Sequence, residues 1–159
     1  MNPQFTIGSE DYREAALLRM SEAERLREAS EWIGSIYLAG RAAEAVLRSL
    51  YWLKTRQQHT GHDLKALLKR VFVLLPFPAD LEKRLEDAVN EIAVVWRNDL
   101  RFTGEKRFRR LLKESGRLHK IGSNRVQGDP VKANALSVLG ACTTVVALGE
   151  PICKRSRKN

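Results

Sequence analysis

The sequence predicts an all-α fold, an up-and-down antiparallel helical bundle of four long helices with one or two short ones. Two patterns favour this class: apolar residues recur every three or four positions over long stretches, and the alternation typical of strands is rare. Proline is also scarce inside the periodic stretches. With 159 residues, of which 43% are hydrophobic, the chain is long enough for one domain with its own core.

The first two helices are predicted at about 10–28 and 31–55. Ser9 is a candidate N-cap for the first helix, whose apolar stripe lies among many Glu and Arg residues. The second helix follows Ser30 and is rich in Gly and Ala, small residues that let a neighbouring helix approach closely. We therefore expect the second helix to lie at the centre of the bundle.

A short third helix and a longer fourth helix are predicted next. Thr60 and Asp63 form a candidate capping pair for the third helix, which extends over about 64–75. The residues PFPAD end it and begin the fourth helix. The apolar face of the fourth helix continues into the stretch VVWRNDLRF at 94–102, where four polar residues follow within five positions.

A basic insertion punctuated by glycine is predicted at about 103–128, with one short helix at 105–118. Asp129 and Pro130 then have the pattern of an N-cap and first residue of a last helix, which is expected to end near Gly149. The predicted organisation is therefore an N-terminal arm (1–8), a helical bundle that contains the insertion (9–149) and a basic C-terminal tail (150–159).

The net charge of +9 is concentrated in one segment. Residues 97–125 contain ten Lys or Arg against three acidic residues, so this segment alone carries +7. The tail KRSRKN adds a second basic cluster. Such clusters attract polyanions by releasing counterions, and nucleic acid is the commonest partner of this kind. The alternative is that the loop and the tail are solvated and disordered.

Several functional classes are disfavoured by what the sequence lacks. Cys142 and Cys153 form neither a disulfide framework nor a CxxC pair. There is no signal peptide, and the most apolar stretch, 135–149, is predicted to be a buried helix, so we expect a soluble cytoplasmic protein without a membrane segment. Neither metal-ligand spacing nor a phosphate-binding glycine loop occurs, so we expect no metal and no cofactor.

A charged constellation lies on one face of the predicted second helix. Tyr37, Arg41, Glu44 and Arg48 recur at four-three-four spacing, which places them side by side. One interpretation is a surface ion-pair ladder worth a few tenths of a kcal/mol. The other is a partly buried glutamate that organises arginines for a ligand such as phosphate, because the flanking residues are Ala, Leu and Val.

Three motifs in order resemble a known family. YLAGRAAEAVLRSL (37–50), TGHDLKALL (60–68) and WRNDLRF (96–102) resemble the HEPN domain (higher eukaryotes and prokaryotes nucleotide-binding), over about residues 10–148. The resemblance implies an up-and-down helical bundle that usually dimerises. Many members are metal-independent ribonucleases in toxin–antitoxin, CRISPR-linked and other antiphage systems. Others are non-catalytic and accompany a minimal nucleotidyltransferase or bind RNA or nucleotides.

The catalytic members of this family carry an arginine, usually a polar neighbour, and then a histidine four to six residues after the arginine. Arg97 and Asn98 match the first two positions, but the histidine is absent because residues 102–104 are Phe, Thr and Gly. Arg101 with Phe102 instead resembles the Arg-Tyr pair of a branch that is not generally credited with nuclease activity. Cleavage through the RNA 2′-hydroxyl needs a proton acceptor and a proton donor, roles for which arginine is poorly suited.

The remaining histidines leave alternatives open. His62 matches the His-Asp-Leu of the family and is either a helix-start residue or an acid/base that reaches the Arg97 region from elsewhere. His119 lies in the basic segment and is either solvated or in contact with phosphate. Glu44 and Arg48 match the glutamate and the basic residue that many members show on the second helix.

The first hypothesis is a binding module. RNA or nucleotide phosphates would be held by an arginine-rich site, and the protein would be a subunit of a prokaryotic toxin–antitoxin or antiphage defence system. The expected partners are a second copy in a homodimer and a protein such as a minimal nucleotidyltransferase or a defence effector. The binding residues would be Arg97, Arg101, Arg41, Glu44 and Arg48, extended by Lys106, Arg107, Arg109, Arg110, Arg117 and His119.

Two other functions stay open. The second hypothesis is an atypical metal-independent RNase, a toxin with its active site at a homodimer interface. Its catalytic residues would be Arg97, Asn98, Asp99 and Arg101, with Asp99 as the base. A third hypothesis is a purely structural adaptor subunit whose basic segment docks on a larger complex.

Overall fold

The computed structural model of the protein describes residues 6–156 and is 75% helical, which confirms the all-α class. Its helices are α1 (Ser9–Glu28), α2 (Trp32–Thr55), α3 (Leu64–Leu74), α4 (Ala79–Val95), the 3-10 helix η1 (Asn98–Phe102), α5 (Glu105–Glu114) and α6 (Pro130–Arg155). A two-stranded antiparallel hairpin, β1 (Lys120–Ile121) and β2 (Asn124–Arg125), separates α5 from α6. Of the arm predicted at 1–8 and the tail predicted at 150–159, residues 1–5 and 157–159 lie outside the described part.

Helix α2 is the central helix, as predicted, because it contacts α1, α3, α6 and η1. Its small residues explain this position. A Cβ atom on Gly40 would lie 2.0 Å from the indole of Trp96, so only glycine lets that ring lie on the helix. The Trp96 indole N–H also donates to the Tyr37 carbonyl at 3.1 Å. These two contacts fix the point at which the chain leaves α4 and enters η1.

The predicted start of α6 is confirmed, α3 is capped by Asp63 and not by Thr60, and the start of α1 is displaced. Asp63 caps α3 by accepting from the Ala66 N–H at 3.0 Å, and Asp129 caps α6 in the same way. For α1 the N-cap is Gly8 instead of Ser9. The Ser9 hydroxyl lies 2.7 Å from the Ser49 hydroxyl on α2, so it is engaged in a helix–helix contact instead of a cap.

Helix α6 is longer than predicted. It continues past Gly149 and through Pro151 to Arg155, so most of the predicted tail is helical. Packing outweighs the helix-breaking tendency of proline here, since Cys153 lies in the core with 2% exposure. Glu150 also binds Arg13 of α1 at 2.7 Å, which ties this end of the helix to the bundle.

By length and composition alone, α6 would be able to cross a membrane. The sequence predicts a buried helix, and the structure buries one stripe of it against α2 and α4. Only 39% of its most apolar 18-residue stretch is buried, so a broad outer face of α6 is exposed. That face carries no charged residue between Lys132 and Glu150.

The basic insertion is ordered by a short helix and a buried ionic network. Helix α5 ends at Glu114, earlier than predicted, because Gly116 adopts a left-handed φ of 71° and the Arg117 N–H turns back to the Leu112 carbonyl. The Arg117 guanidinium then pairs with Glu91 of α4 and donates to Asn134 of α6 at 2.9 Å. The network fastens the insertion to two long helices.

Candidate functional site

Two of the three sequence motifs meet at the carboxylate of Glu44, whose side chain is 2% exposed, and the third contacts it only through Arg41. One oxygen, Oε1, accepts from Arg48 Nη2 at 2.7 Å and lies 2.7 Å from His62 Nδ1. The other, Oε2, accepts from Arg41 Nη1 at 2.5 Å. Arg41 Nη1 also lies 3.5 Å from Asn98 Oδ1. We call Arg41, Glu44, Arg48, His62 and Asn98 the Glu44 cluster.

Within this cluster Arg48 supports a loop. Its guanidinium donates to the carbonyls of His59 and Gly61 as well as to Glu44, and its side chain is 13% exposed. These bonds hold the connection between α2 and α3 against α2. Arg48 therefore has little capacity left for a ligand, although the sequence predicts it as a binding residue.

His59, in the same loop, is partly buried. Its ring packs edge-on against Tyr51 with the centroids 5.4 Å apart, and its Nδ1 is a buried atom without a hydrogen bond in the described structure. Burial lowers the pKa of His59 below its ordinary value, and the nearby charges of Arg48 and Arg70 lower it further. The ring therefore packs against the end of α2.

His62 contacts two charged partners through the same ring nitrogen. Its Nδ1 lies 2.7 Å from Glu44 Oε1, which accepts, and 3.3 Å from Arg41 Nη1, which donates. Its Nε2 has no hydrogen bond in the described structure. The side chain is 44% exposed. His62 is thus bound to the Glu44 cluster, and Arg97 lies in a different cleft.

Beside His62 a cleft of about 700 Å³ lies between α1 and α2. Its polar lining comes from Tyr12 and Arg19 of α1, Tyr37 and Arg41 of α2, and His62 itself. We call it the α1–α2 cleft. The carboxylates of Asp11 and Glu44 and the guanidinium of Arg48 line it as well. The contribution of α1 is absent from the sequence prediction, although Tyr12 and Arg19 are seven residues apart and so share a helix face, a signal that points to a common surface.

Arg97 faces a different cleft, of about 770 Å³, which η1 and α5 line together. It binds Asp99 with Nε 3.2 Å from Oδ1 and is 60% exposed. In the described structure the WRNDLRF residue that contacts Arg41 is Asn98 and not Arg97. The backbone at Arg97 is extended, with φ −140° and ψ 148°, so neighbouring side chains point to opposite sides.

The same cleft contains the positive residues of α5. Lys106, Arg107 and Arg110 line it together with Arg97, and we call these four residues the α5 surface. Arg110 pairs with Glu114 at 2.9 Å. Among the residues that the structure describes, Lys106 and Arg107 have no ion-pair partner within 4.0 Å. Their charge is therefore available to a ligand.

Comparison with models of known protein families shows to which family the chain belongs. The model of the HEPN domain matches residues 9–125, which span α1 to the hairpin. The chain belongs to the HEPN family. This membership associates it with RNase-like or nucleotide-related functions in defence and toxin contexts. No curated protein and no solved structure is significantly similar to the chain.

In this HEPN chain a middle cleft of about 780 Å³ joins the two sites. It shares Tyr37 with the α1–α2 cleft and Thr103 with the cleft of the α5 surface. Arg101 lines it, and the Arg101 guanidinium lies 4.7 Å from the centre of the Phe102 ring. Phe102, the residue in place of a histidine, is 76% exposed. The middle cleft therefore adjoins both of the other clefts.

The HEPN fold separates the other predicted binding residues. Arg109 is occupied by Glu105 and Asp129, and His119 is exposed beside the hairpin. Arg117 is 7% exposed and serves the buried network described above, so it does not belong to the binding surface. Across residues 6–156, no group of three or more His, Cys, Asp or Glu is arranged to hold a metal ion.

Proposed function

We propose that this HEPN protein binds RNA through the α5 surface, extended past Arg101 towards the Glu44 cluster. The observation that carries the proposal is the pair of unpaired cations, Lys106 and Arg107, beside Arg97 in one open cleft. On the inner face of α5, Phe108 and Leu112 are fully buried. The basic residues on the opposite face of α5 therefore point outwards. The surface is rigid because its scaffold is packed into the core.

The chemistry of the surface suits single-stranded RNA better than an isolated phosphate. A row of cations tracks a phosphate backbone and releases its counterions. Phe102 offers an exposed aromatic face on which a base can stack, and Arg101 beside it can stack in the same way. Binding of this type tolerates many sequences, because every base has an aromatic face. Nucleotide phosphates would be weaker ligands of the same residues.

The proposal is tested with a short fluorescein-labelled single-stranded RNA and fluorescence anisotropy. We expect the Lys106→Ala/Arg107→Ala double variant to raise Kd about tenfold, which corresponds to about 1.4 kcal/mol. The matched control is Arg84→Ala on α4, which removes an exposed cation outside all three clefts. Equal affinity of the double variant, the control and the unchanged protein would overturn the proposal.

We also propose that the protein acts as a homodimer through the outer face of α6. Leu136, Gly140 and Thr143 lie on this uncharged face, and Gly140 has no atom near its missing side chain. In an antiparallel pair, Lys132 of one copy would lie opposite Glu150 of the other. Light scattering tests the proposal: Thr143→Lys should give monomers, and an unchanged mass would contradict it.

The family also suggests a biological setting for the protein. We propose a role in a prokaryotic toxin–antitoxin or antiphage defence system, supported by the HEPN membership. A protein partner such as a minimal nucleotidyltransferase or a defence effector would bind the assembled protein. Co-purification with a tagged candidate after RNase treatment tests for such a partner, and loss of the complex after that treatment would show that RNA alone links the two.

A further inference from the structure

We infer that the β1–β2 hairpin is a second phosphate-binding site, where Lys120 and Arg125 together hold the backbone of a single-stranded RNA. The inference rests on the proposed function, because the same RNA strand lies on the α5 surface. It adds a site that none of the three sequence motifs contains, since all of them end before α5 begins.

The hairpin places two cations directly opposite each other. Lys120 pairs with Arg125 in the antiparallel register of β1 and β2. In the next pair along the ladder, the Val126 N–H donates to the His119 carbonyl at 2.8 Å, so that pair is hydrogen-bonded. Because hydrogen-bonded and non-hydrogen-bonded pairs alternate, Lys120 and Arg125 form a non-hydrogen-bonded pair, the kind in which the side chains lie closest.

Both cations face away from the body of the protein. Successive side chains of a strand point to opposite faces of the hairpin. Ile121 and Val126 share one face and are partly buried, so this face lies against the protein. Lys120 and Arg125 lie on the other face and are exposed. Their side chains are therefore accessible to a ligand.

No acidic side chain of residues 6–156 balances the two charges of this pair. Neither Lys120 nor Arg125 has an ion-pair partner within 4.0 Å in this part of the chain. Like charges placed directly opposite each other destabilise a hairpin, and a two-stranded hairpin is only marginally stable by itself. A phosphate group between the two side chains would replace the repulsion by two attractive contacts. The pair therefore has the chemistry of an anion site.

The hairpin is fixed at its base and at its tip. Arg117 precedes β1 and is buried in the network with Glu91 and Asn134. Asn134 also donates to the Arg117 carbonyl at 2.9 Å. At the tip, Gly122 has a φ of 60°, which suits a two-residue turn with glycine in its first position. The backbone of the site is thus formed before RNA binds, and this lowers the entropic cost of binding.

A row of cations leads from the α5 surface towards the hairpin. Lys106, Arg110 and Lys113 recur at four-three spacing, so they lie on one face of α5. The ten-residue helix is about 15 Å long, and the hairpin follows its C-terminal end after the turn at Gly116. An RNA strand along this row fits the site sizes of about 4 to 16 nucleotides that single-strand-binding domains show.

The test is fluorescence anisotropy with two labelled single-stranded RNAs, of about 6 and about 16 nucleotides. We expect Lys120→Ala/Arg125→Ala to raise the Kd of the longer RNA about tenfold, because its phosphates reach the hairpin. The Kd of the shorter RNA should stay unchanged, since that strand occupies the α5 surface alone. The matched control is Lys65→Ala/Lys69→Ala, which removes the same charge from the exposed side of α3 and should leave both affinities unchanged.

The variant Lys120→Glu distinguishes a binding role from a structural one. It places opposite charges across the hairpin, so the urea midpoint should not fall. The Kd of the longer RNA should nevertheless rise, because the phosphate would meet a carboxylate. A lower urea midpoint together with unchanged RNA affinity would show that the pair is structural and would overturn the inference.

The remaining outcomes separate the hairpin site from the α5 surface. If Lys106→Ala/Arg107→Ala weakens binding of the longer RNA but Lys120→Ala/Arg125→Ala does not, the hairpin site is overturned and the proposed function stands. Absence of RNA binding by the unchanged protein would remove both. If labelled polyglutamate bound as tightly as the longer RNA and depended on Lys120 and Arg125, the hairpin would be a site for acidic proteins, and the RNA assignment would be overturned.

Discussion

The indole of Trp96 lies so close to Gly40 that a Cβ atom there would be 2.0 Å from the ring. This contact places the end of α4 on the central helix. It also sets the position of Asn98, which lies two residues later and contacts Arg41. The glycine is thus part of the framework that holds the Glu44 cluster together.

Replacing Gly40 should destabilise the protein. The added methyl group of Gly40→Ala must displace a ring that is only 5% exposed, and overpacking of this kind costs about 1 to 3 kcal/mol. The free energy of unfolding in urea measures the effect. Gly104→Ala is the control, since no atom lies within 4 Å of its Cβ position and its φ of −84° suits alanine. Equal stability of the two variants would contradict the packing account.

The sequence predicts those features of the fold that depend on contacts between residues close together in the chain. The helices follow from local periodicity and capping residues, so the predicted fold class and most helix positions agree with the structure. The Gly and Ala residues of α2 correctly predict a close approach. The partner of Gly40, however, is a residue 56 positions further along the chain, and no local pattern specifies such a pair.

Arg117 should matter for stability and not for RNA binding. Its guanidinium is buried against Glu91 and Asn134, so Arg117→Ala leaves Glu91 without its cation. Removing one partner of such a pair should cost about 3 kcal/mol, measured by urea unfolding. Arg110→Ala breaks an exposed pair with Glu114 and should change stability by less than about 1 kcal/mol. A small effect at Arg117 would show that the network contributes little.

His59 should make stability depend on pH. Burial and nearby arginines lower its pKa in the folded state below the ordinary 6.5, so the unfolded chain binds the proton more readily. The stabilising contribution is therefore present above pH 6.5 and is lost as the pH falls below that value. Urea midpoints at about pH 7.5 and about pH 5.5 should differ less in His59→Phe than in the unchanged protein. The same change in urea midpoint between the two pH values in both proteins would contradict the role of His59.

Cys153 should be inert while the protein is folded. Burial raises the pKa of its thiol to about 11, and burial raises the pKa of Cys142 as well. Because the thiolate is the reactive form, iodoacetamide should label both residues slowly in buffer and rapidly in urea. Mass spectrometry of the two samples measures this. Fast labelling of Cys153 in buffer would show that the helical turn after Pro151 opens readily.

The candidate site was less predictable than the fold. The spacing of Arg41, Glu44 and Arg48 on one helix face is a local property, and the structure brings them together. The direction of Arg97 depends on an extended residue at a helix end, which the sequence pattern does not specify. The hydrogen bond from His62 to Glu44 joins residues 18 positions apart across a loop, and that loop adopts its shape through Arg48.

The salt dependence of RNA affinity tests the central claim most directly. If the α5 surface neutralises RNA phosphates, the slope of log Kobs against log salt should become shallower by about 0.7 for each phosphate contact removed. Arg97→Ala and Arg107→Ala should each show this decrease, and Arg84→Ala should keep the slope of the unchanged protein. Identical slopes for all four proteins would contradict the assignment of the RNA site to α5.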